Sequence, residues 1–256
     1  MTFPDLLPGG TPALLAVTVS VFILAGVVKG VVGLGLPTIS MAMLALVMAP
    51  AQAAALLIVP SLITNLWQAR PWTTLPQVLR RIGAMQAGIC AGTIGGALWL
   101  GPPSGHWASV CLGLALVAYA AWGLFGSPPR APQRHRGLAG AAVGAATGVI
   151  TAATGVFVIP AVPYLQALNL GRDGLIQAMG ISFTVSTLAL ALGLALTGGY
   201  TPEAAGASVL MLLPALAGMA LGTWLRGRMS AQAFKRCFMV SLALLGAYQA
   251  VQGWTA

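Results

Sequence analysis

Long apolar stretches, broken by short clusters of glycine, proline and arginine, run through the whole chain. Ten such stretches can be marked out, five on each side of a polar linker. Those before it cover about 12–28, 38–49, 51–69, 82–100 and 106–125. The linker is GSPPRAPQRHRG, residues 126–137. Those after it cover about 138–152, 156–168, 174–197, 205–225 and 232–252. A helix crossing a bilayer needs about 20 apolar residues. The last three stretches of each half reach that length. The second stretch of each half is short, and Gly/Pro-rich sequence separates it from the first. This pattern predicts a broken or re-entrant helical hairpin followed by three transmembrane helices, twice over.

The two halves resemble each other. Pro37 and Pro160, Ala55 and Ala178, Ser61 and Thr184, and Thr64 and Thr187 all stand 123 positions apart. Gly92 and Gly218, Gly96 and Gly222, and Cys111 and Cys237 stand 126 apart. One three-residue difference in loop length reconciles the two offsets, so the spacing predicts an internal duplication. Residues 1–125 form the first repeat, 126–137 a basic linker and 138–256 the second repeat.

Charge orients the repeats. Lysine and arginine concentrate on the cytoplasmic side of membrane proteins. Arg70, Arg80 and Arg81 precede the fourth stretch, and Arg130, Arg134 and Arg136 lie in the linker. Two spans separate these groups, so they share a side. In the second half the corresponding loop holds Glu203, and the basic cluster Arg226, Arg228, Lys235 and Arg236 comes one span later. The repeats are therefore expected to be inverted, with both termini outside. Of the 12 Lys/Arg residues, only Lys29 falls away from the inner side. The fold class expected is an all-α polytopic membrane protein of two inverted-topology repeats. The start, MTFPDLLPGG, carries Asp5 and no basic run, and so does not read as a cleaved signal peptide.

Composition agrees: 58% of residues are hydrophobic and 6% charged, against about 25% charged in soluble domains. The net charge of +9 therefore reads as membrane topology, not as a nucleic-acid surface. Cys90, Cys111 and Cys237 form no CxxC pair and read as small buried apolar residues. His106 and His135 have no metal-binding spacing. No cofactor or metal is expected.

Candidate chemistry centres on the two hairpin turns. The first, GVVKGVVGLGLPTIS, carries Lys29, Gly30, Gly33, Gly35, Pro37, Thr38 and Ser40. The glycines permit close backbone approach, and Pro37 suits a helix's first turn. A helix N-terminus offers unpaired N–H groups and partial positive charge, which favour an anion. The second turn, GVITAATGVFVIP, carries Thr151, Thr154, Gly155 and Pro160. Hairpins entering from opposite faces are expected to bring the two tips together near the midplane. Lys29 is the one cation inside the apolar part of either hairpin, and Ala152 is its expected repeat counterpart. Ser61, Thr64, Asn65 and Gln68 share one helical face, as do Thr184 and Thr187. Those polar residues line a pathway or bond across helices. Gly88, Gly92 and Gly96 read as helix packing. A paired buried carboxylate is absent, which argues against acid–base catalysis.

The chain resembles the TauE/SafE family of sulfite exporters and anion permeases. The resemblance rests on KGVVGLGLP at 29–37 and GVITAATGVFVIP at 148–160, and on the helices beginning AQAAALLIVPSLITN and IQAMGISFTVST that follow. It implies transport of a sulfur-containing or organic anion of the sulfite, sulfonate or sulfoacetate class across a bacterial inner membrane. A coupling ion, proton or sodium, is compatible with it. The substrate, the direction of transport and the oligomeric state stay open. A non-transporting membrane scaffold and, further off, a membrane-embedded enzyme are the competing readings.

Overall fold

A computed structural model of the chain describes residues 11–127, 135–228 and 230–255. Asp5, Arg130, Arg134 and most of the linker lie outside the described residues. Among the described residues the regular structure is all helical. In chain order the helices are α1 (Pro12–Val32), α2 (Leu36–Leu44), α3 (Pro50–Gln68), α4 (Leu75–Leu100), α5 (Gly105–Phe125), α6 (Arg136–Thr154), α7 (Ala161–Ala167), α8 (Gly171–Leu196), α9 (Pro202–Arg226) and α10 (Ala231–Thr255). Eight are long and apolar enough to cross a membrane. The exceptions are α2, of nine residues, and α7, of seven. At about 1.5 Å per residue neither spans a hydrocarbon core of about 30 Å. The protein is a multi-pass membrane protein.

Proline and glycine set the helix ends. Pro12, Pro37, Pro50, Pro76 and Pro202 stand in first turns, where the missing N–H leaves no bond unmade. Segment 38–49 was expected to be one helix, but α2 stops at Leu44, and residues 45–48 turn ahead of Pro50. The residue before a proline disfavours helical geometry. Likewise α7 begins only after Pro160, and residues 156–158, two of them β-branched valines, are non-helical. Pro60 lies inside α3 and cannot donate to the Leu56 carbonyl. Ser208 of α9 takes that place: its hydroxyl donates to Leu56 O (2.8 Å) and accepts from the Val59 N–H (3.0 Å).

Helices pack across the halves. The principal pairs are α1 with α9, α4 with α6, α5 with α10, α3 with α8, α4 with α8, and α3 with α9. Exchanging each helix of one half for its counterpart in the other leaves this set unchanged. The α1–α9 and α4–α6 seams are glycine contacts. A methyl added at Gly26 would lie 2.2 Å from Ala215 O, and one at Gly222 would lie 2.1 Å from Val27 O. In the other seam, Gly92 meets Ala145 O at 2.2 Å and Gly144 meets Met85 O at 2.1 Å. Backbones this close gain dispersion contacts that lipid cannot supply.

The same contacts give helix direction. Positions advance together along α1 and α9 and along α4 and α6, so these pairs are parallel. In the third pair Gly113 meets Gly246, Gly123 meets Met239, and Gly253 meets Val110, so α5 and α10 are antiparallel. The Ala51 N–H donates to Pro103 O, and Gly199 lies against Pro102. The loops before α3, before α5 and before α9 therefore share one face. On the other face Gln177 of α8 donates to Ala69 O (3.0 Å) and Pro71 O (2.6 Å) and accepts from Thr74 Oγ1 (2.8 Å). Arg70, Arg80, Arg81, Arg136, Arg172, Arg226, Arg228, Lys235 and Arg236 fall at helix ends or loops on this second, basic face. All three cysteines are free, Cys90 and Cys111 half-buried and Cys237 exposed. Cys237 thus departs from the buried position expected.

Candidate functional site

The site begins where α1 ends. Gly33 closes α1 in the left-handed region at φ 79, its N–H bonded to Lys29 O, and Gly35 opens α2 at φ 109. Two such residues within three positions turn the chain sharply, which only glycine does without strain. Gly35 packs on Val28, so the first turn of α2 lies next to the last turns of α1. Lys29 points toward α3, where its Nζ donates to Asn65 Oδ1. The side chain is 5% exposed and Asn65 is fully buried.

No acidic side chain answers this cation among the described residues: Asp173 and Glu203 are both exposed. A buried charge without an opposite charge carries a desolvation penalty of several kcal/mol. Asn65 itself, and other side chains of α2 and α3, carry buried polar atoms with nothing to bond. Asn65 Nδ2, Ser61 Oγ, Thr38 Oγ1, Ser40 Oγ and Gln68 Oε1 are buried and without a hydrogen-bond partner. Buried polar groups are almost always paired, and two exceptions stand close to the lone cation: Nδ2 of the amide that holds Lys29, and Ser61 Oγ one turn away on α3. Four of these five atoms are hydroxyls or an amide N–H, hence able to donate. The first turn of α2 adds backbone N–H groups that no preceding turn can satisfy.

The second hairpin differs. Thr151 donates to Thr147 O (2.8 Å), Thr154 to Ile150 O (2.6 Å), Thr184 to Gly180 O (2.8 Å) and Thr187 to Phe183 O (2.7 Å). Thr64 likewise bonds Pro60 O at 2.6 Å. These hydroxyls are satisfied within their own helices. Gly155 ends α6 as Gly33 ends α1, with its N–H on Thr151 O, so the structural counterpart of Lys29 is Thr151, one residue from the expected Ala152. Gly30 packs on the α9 backbone, with Met219 O at 2.4 Å from an added methyl, and its small size is explained without a ligand. Pro160 caps α7 and is half-buried.

The tips also meet differently from expectation. Gly155 rests against Met41 of α2, and Leu34 shares a cavity of about 470 Å³ with Val162 and Gln166 of α7. Each tip abuts the other hairpin's short helix, because α1 and α6 run nearly the full depth of α9 and α4 before turning. The charge is therefore one-sided, with Lys29 in the first hairpin and Thr151 in its place in the second. Sequence reading missed Ser186 and Thr93, both buried and unpartnered, and Gln86, which donates to Ser182 Oγ at 2.9 Å. Ser182 and Ser186 stand one helical turn apart, a signal that was there to be used. Thr93 was hidden in a run of small residues.

The family model for the sulfite exporter TauE/SafE matches residues 18–249. The chain belongs to the sulfite exporter TauE/SafE family. The match covers both hairpins and reaches into α10, so it takes in the whole Lys29 cluster. TauE/SafE proteins are membrane transporters, not enzymes, and this chain is a membrane transporter. Comparison with curated proteins and with solved structures returned no match. Within a TauE/SafE transporter the cluster makes a direct prediction. Asn65→Asp places a carboxylate beside Lys29 and supplies the missing counter-charge. It is expected to raise the thermal midpoint and to suppress anion-induced stabilisation. A variant that still responds to anions as the parent does would remove this pair from the binding site.

Proposed function

We propose that this TauE/SafE protein is a secondary transporter of a small oxyanion of the sulfite, sulfonate or sulfoacetate class, bound at Lys29 beside the first turn of α2. The observation that carries the reading is the buried Lys29, held by a neutral amide whose own Nδ2 is unpartnered, as is Ser61 Oγ one turn away on α3. An anion entering there neutralises the lysine and meets the Ser61 hydroxyl, the free amide hydrogens of Asn65 and the Thr38 hydroxyl in the first turn of α2. Sulfite and sulfonate oxygens accept several hydrogen bonds at once, which suits a set made almost wholly of donors.

The proposal includes the frame that moves the site. Residues 1–125 and 138–256 act as inverted repeats joined by the linker 126–137. The exchange-symmetric helix pairing and the opposed directions of α5 and α10 support this. Alternating access then follows from rocking one repeat against the other along the glycine seams. The arginine-rich face is cytoplasmic and both termini are periplasmic, as the placement of Lys and Arg favours. Reporter fusions at Thr11 and Thr255 test the orientation: activity of a periplasm-dependent reporter is expected at both.

Transport is tested first by binding. A ligand that binds only the folded state at 100 times its Kd stabilises by about 2.7 kcal/mol. Sulfite, sulfoacetate and related sulfonates are expected to raise the unfolding temperature of the purified protein, while choline and neutral sugars of similar size do not. Equal response to cations and anions would overturn the anion assignment.

A further inference from the structure

A second cavity, of about 690 Å³, opens on the basic face between the end of α3, the start of α4 and the start of α8. Its lining includes Arg70, Arg81, Thr74, Gln77, Asp173 and Gln177. Gln77 and Arg81 are four apart on α4 and so face the same way. The Arg70 guanidinium stacks 3.4 Å from the centre of the Trp67 ring. That stacking holds the guanidinium plane still and leaves its N–H edge free to fork onto an oxyanion. Two arginines against one aspartate leave the cavity net positive. Gln177 is already engaged with Ala69, Pro71 and Thr74, and so acts as its rigid wall.

The cavity is connected to the buried lysine through α3. Ile176 lines the cavity, and its carbonyl accepts from Gln68 Nε2 at 3.4 Å. Gln68 Oε1 is buried without a partner, as is Asn65 Nδ2 one helical turn deeper. Asn65 in turn accepts from Lys29. Two under-satisfied amides therefore stand in line between the cavity and the lysine; on the side of α8 the line is closed by the Gln68–Ile176 bond and by Gly180, whose backbone packs on Gln68 and Ala69, so passage requires α3 and α8 to part there.

We infer that this cavity is a second anion site, in which Arg70 and Arg81 capture the oxyanion at the basic face before Gln68 and Asn65 pass it to Lys29. The inference rests on the transport reading above and adds a residence point and a route to it. Electrostatic capture of this kind raises local substrate concentration, so its signature is a KM effect confined to one side. Asp173 lies in the same cavity and opposes capture, which tunes release.

The test uses initial rates of labelled sulfite and sulfoacetate uptake into everted and right-side-out vesicles carrying the full chain. The R70Q/R81Q double variant is expected to raise KM at least tenfold in one vesicle orientation, leaving the other orientation and kcat little changed. Asp173→Asn is expected to lower KM at least twofold in that same orientation, and it serves if the double variant fails to fold. A KM unchanged in both orientations, or raised equally in both, overturns the capture site while saturable wild-type uptake keeps the transport reading. Absence of saturable wild-type uptake of either anion overturns both. A lipid phosphate offers the same chemistry as a free oxyanion. Reconstitution into phosphatidylcholine with and without phosphatidylglycerol separates them: an arginine effect seen only with phosphatidylglycerol assigns the cavity to a headgroup and overturns the proposal.

Discussion

Lys29→Ala is expected to lower anion flux about a hundredfold or more while leaving the helices assembled. Truncating one member of a buried hydrogen-bonded charged pair costs about 2–5 kcal/mol of binding, and each 1.4 kcal/mol is a factor of about ten. On the proposed function the partner lost is the anion, since Asn65 is neutral and Lys29 has no acid beside it among the described residues. Stability should move the other way. Removing a buried charge that lacks a counter-charge relieves a desolvation penalty, so the empty variant is expected to unfold at the same temperature as the parent or higher. The two readouts together separate a ligand-binding lysine from a structural one. A structural lysine loses stability along with flux, and unchanged flux removes Lys29 from the site. Lys29→Arg keeps the charge but enlarges and flattens the head group, and it is expected to retain a measurable fraction of flux.

The second large effect concerns assembly, not binding. Gly92→Ala and Gly95→Ala insert the same methyl into α4 three residues apart. At Gly92 it would fall 2.2 Å from Ala145 O, against the backbone of α6. At Gly95 it meets nothing within 4 Å. Backbone cannot move aside as a flexible side chain does, so Gly92→Ala is expected to lose about 1–3 kcal/mol or more and to reduce the yield of folded protein sharply. Gly95→Ala is expected to be neutral or to gain roughly 0.5–1 kcal/mol from the reduced freedom of the unfolded chain. Thermal midpoints of the two variants in detergent check the contrast, and equal midpoints would show that the α4–α6 seam is not close-packed. Gly222→Ala, 2.1 Å from Val27 O across the α1–α9 seam, is expected to behave like Gly92→Ala.

Much of this protein can be read along the chain. Hydrophobic stretches, punctuated by proline and glycine, locate the helices of the described residues, because helix length and first-turn proline are local matters. Pro50 and Pro160 show the limit: each displaced a helix boundary by several residues, since a proline's neighbours decide whether it opens a helix or ends an extended run. Lys29 stands out for a local reason too, as an ionisable residue within an apolar segment.

What local pattern could not supply is the partner of each group. Asn65 is 36 residues from Lys29, and nothing along α1 says that its lysine meets an amide instead of an acid. Glycines 92 and 95 are identical as letters, and only the approach of α6 makes one indispensable and leaves the other free. Thr38 and Thr151 are both hydroxyl residues of the hairpin turns. Thr151 turned back onto its own helix, whereas Thr38 was left buried and unpaired. Solvent, lipid and chain length determined the helices, which answer to short-range geometry and burial. Which polar atoms are left without a partner was decided by tertiary packing, because whether a polar atom is satisfied depends on what another helix places within about 3 Å of it.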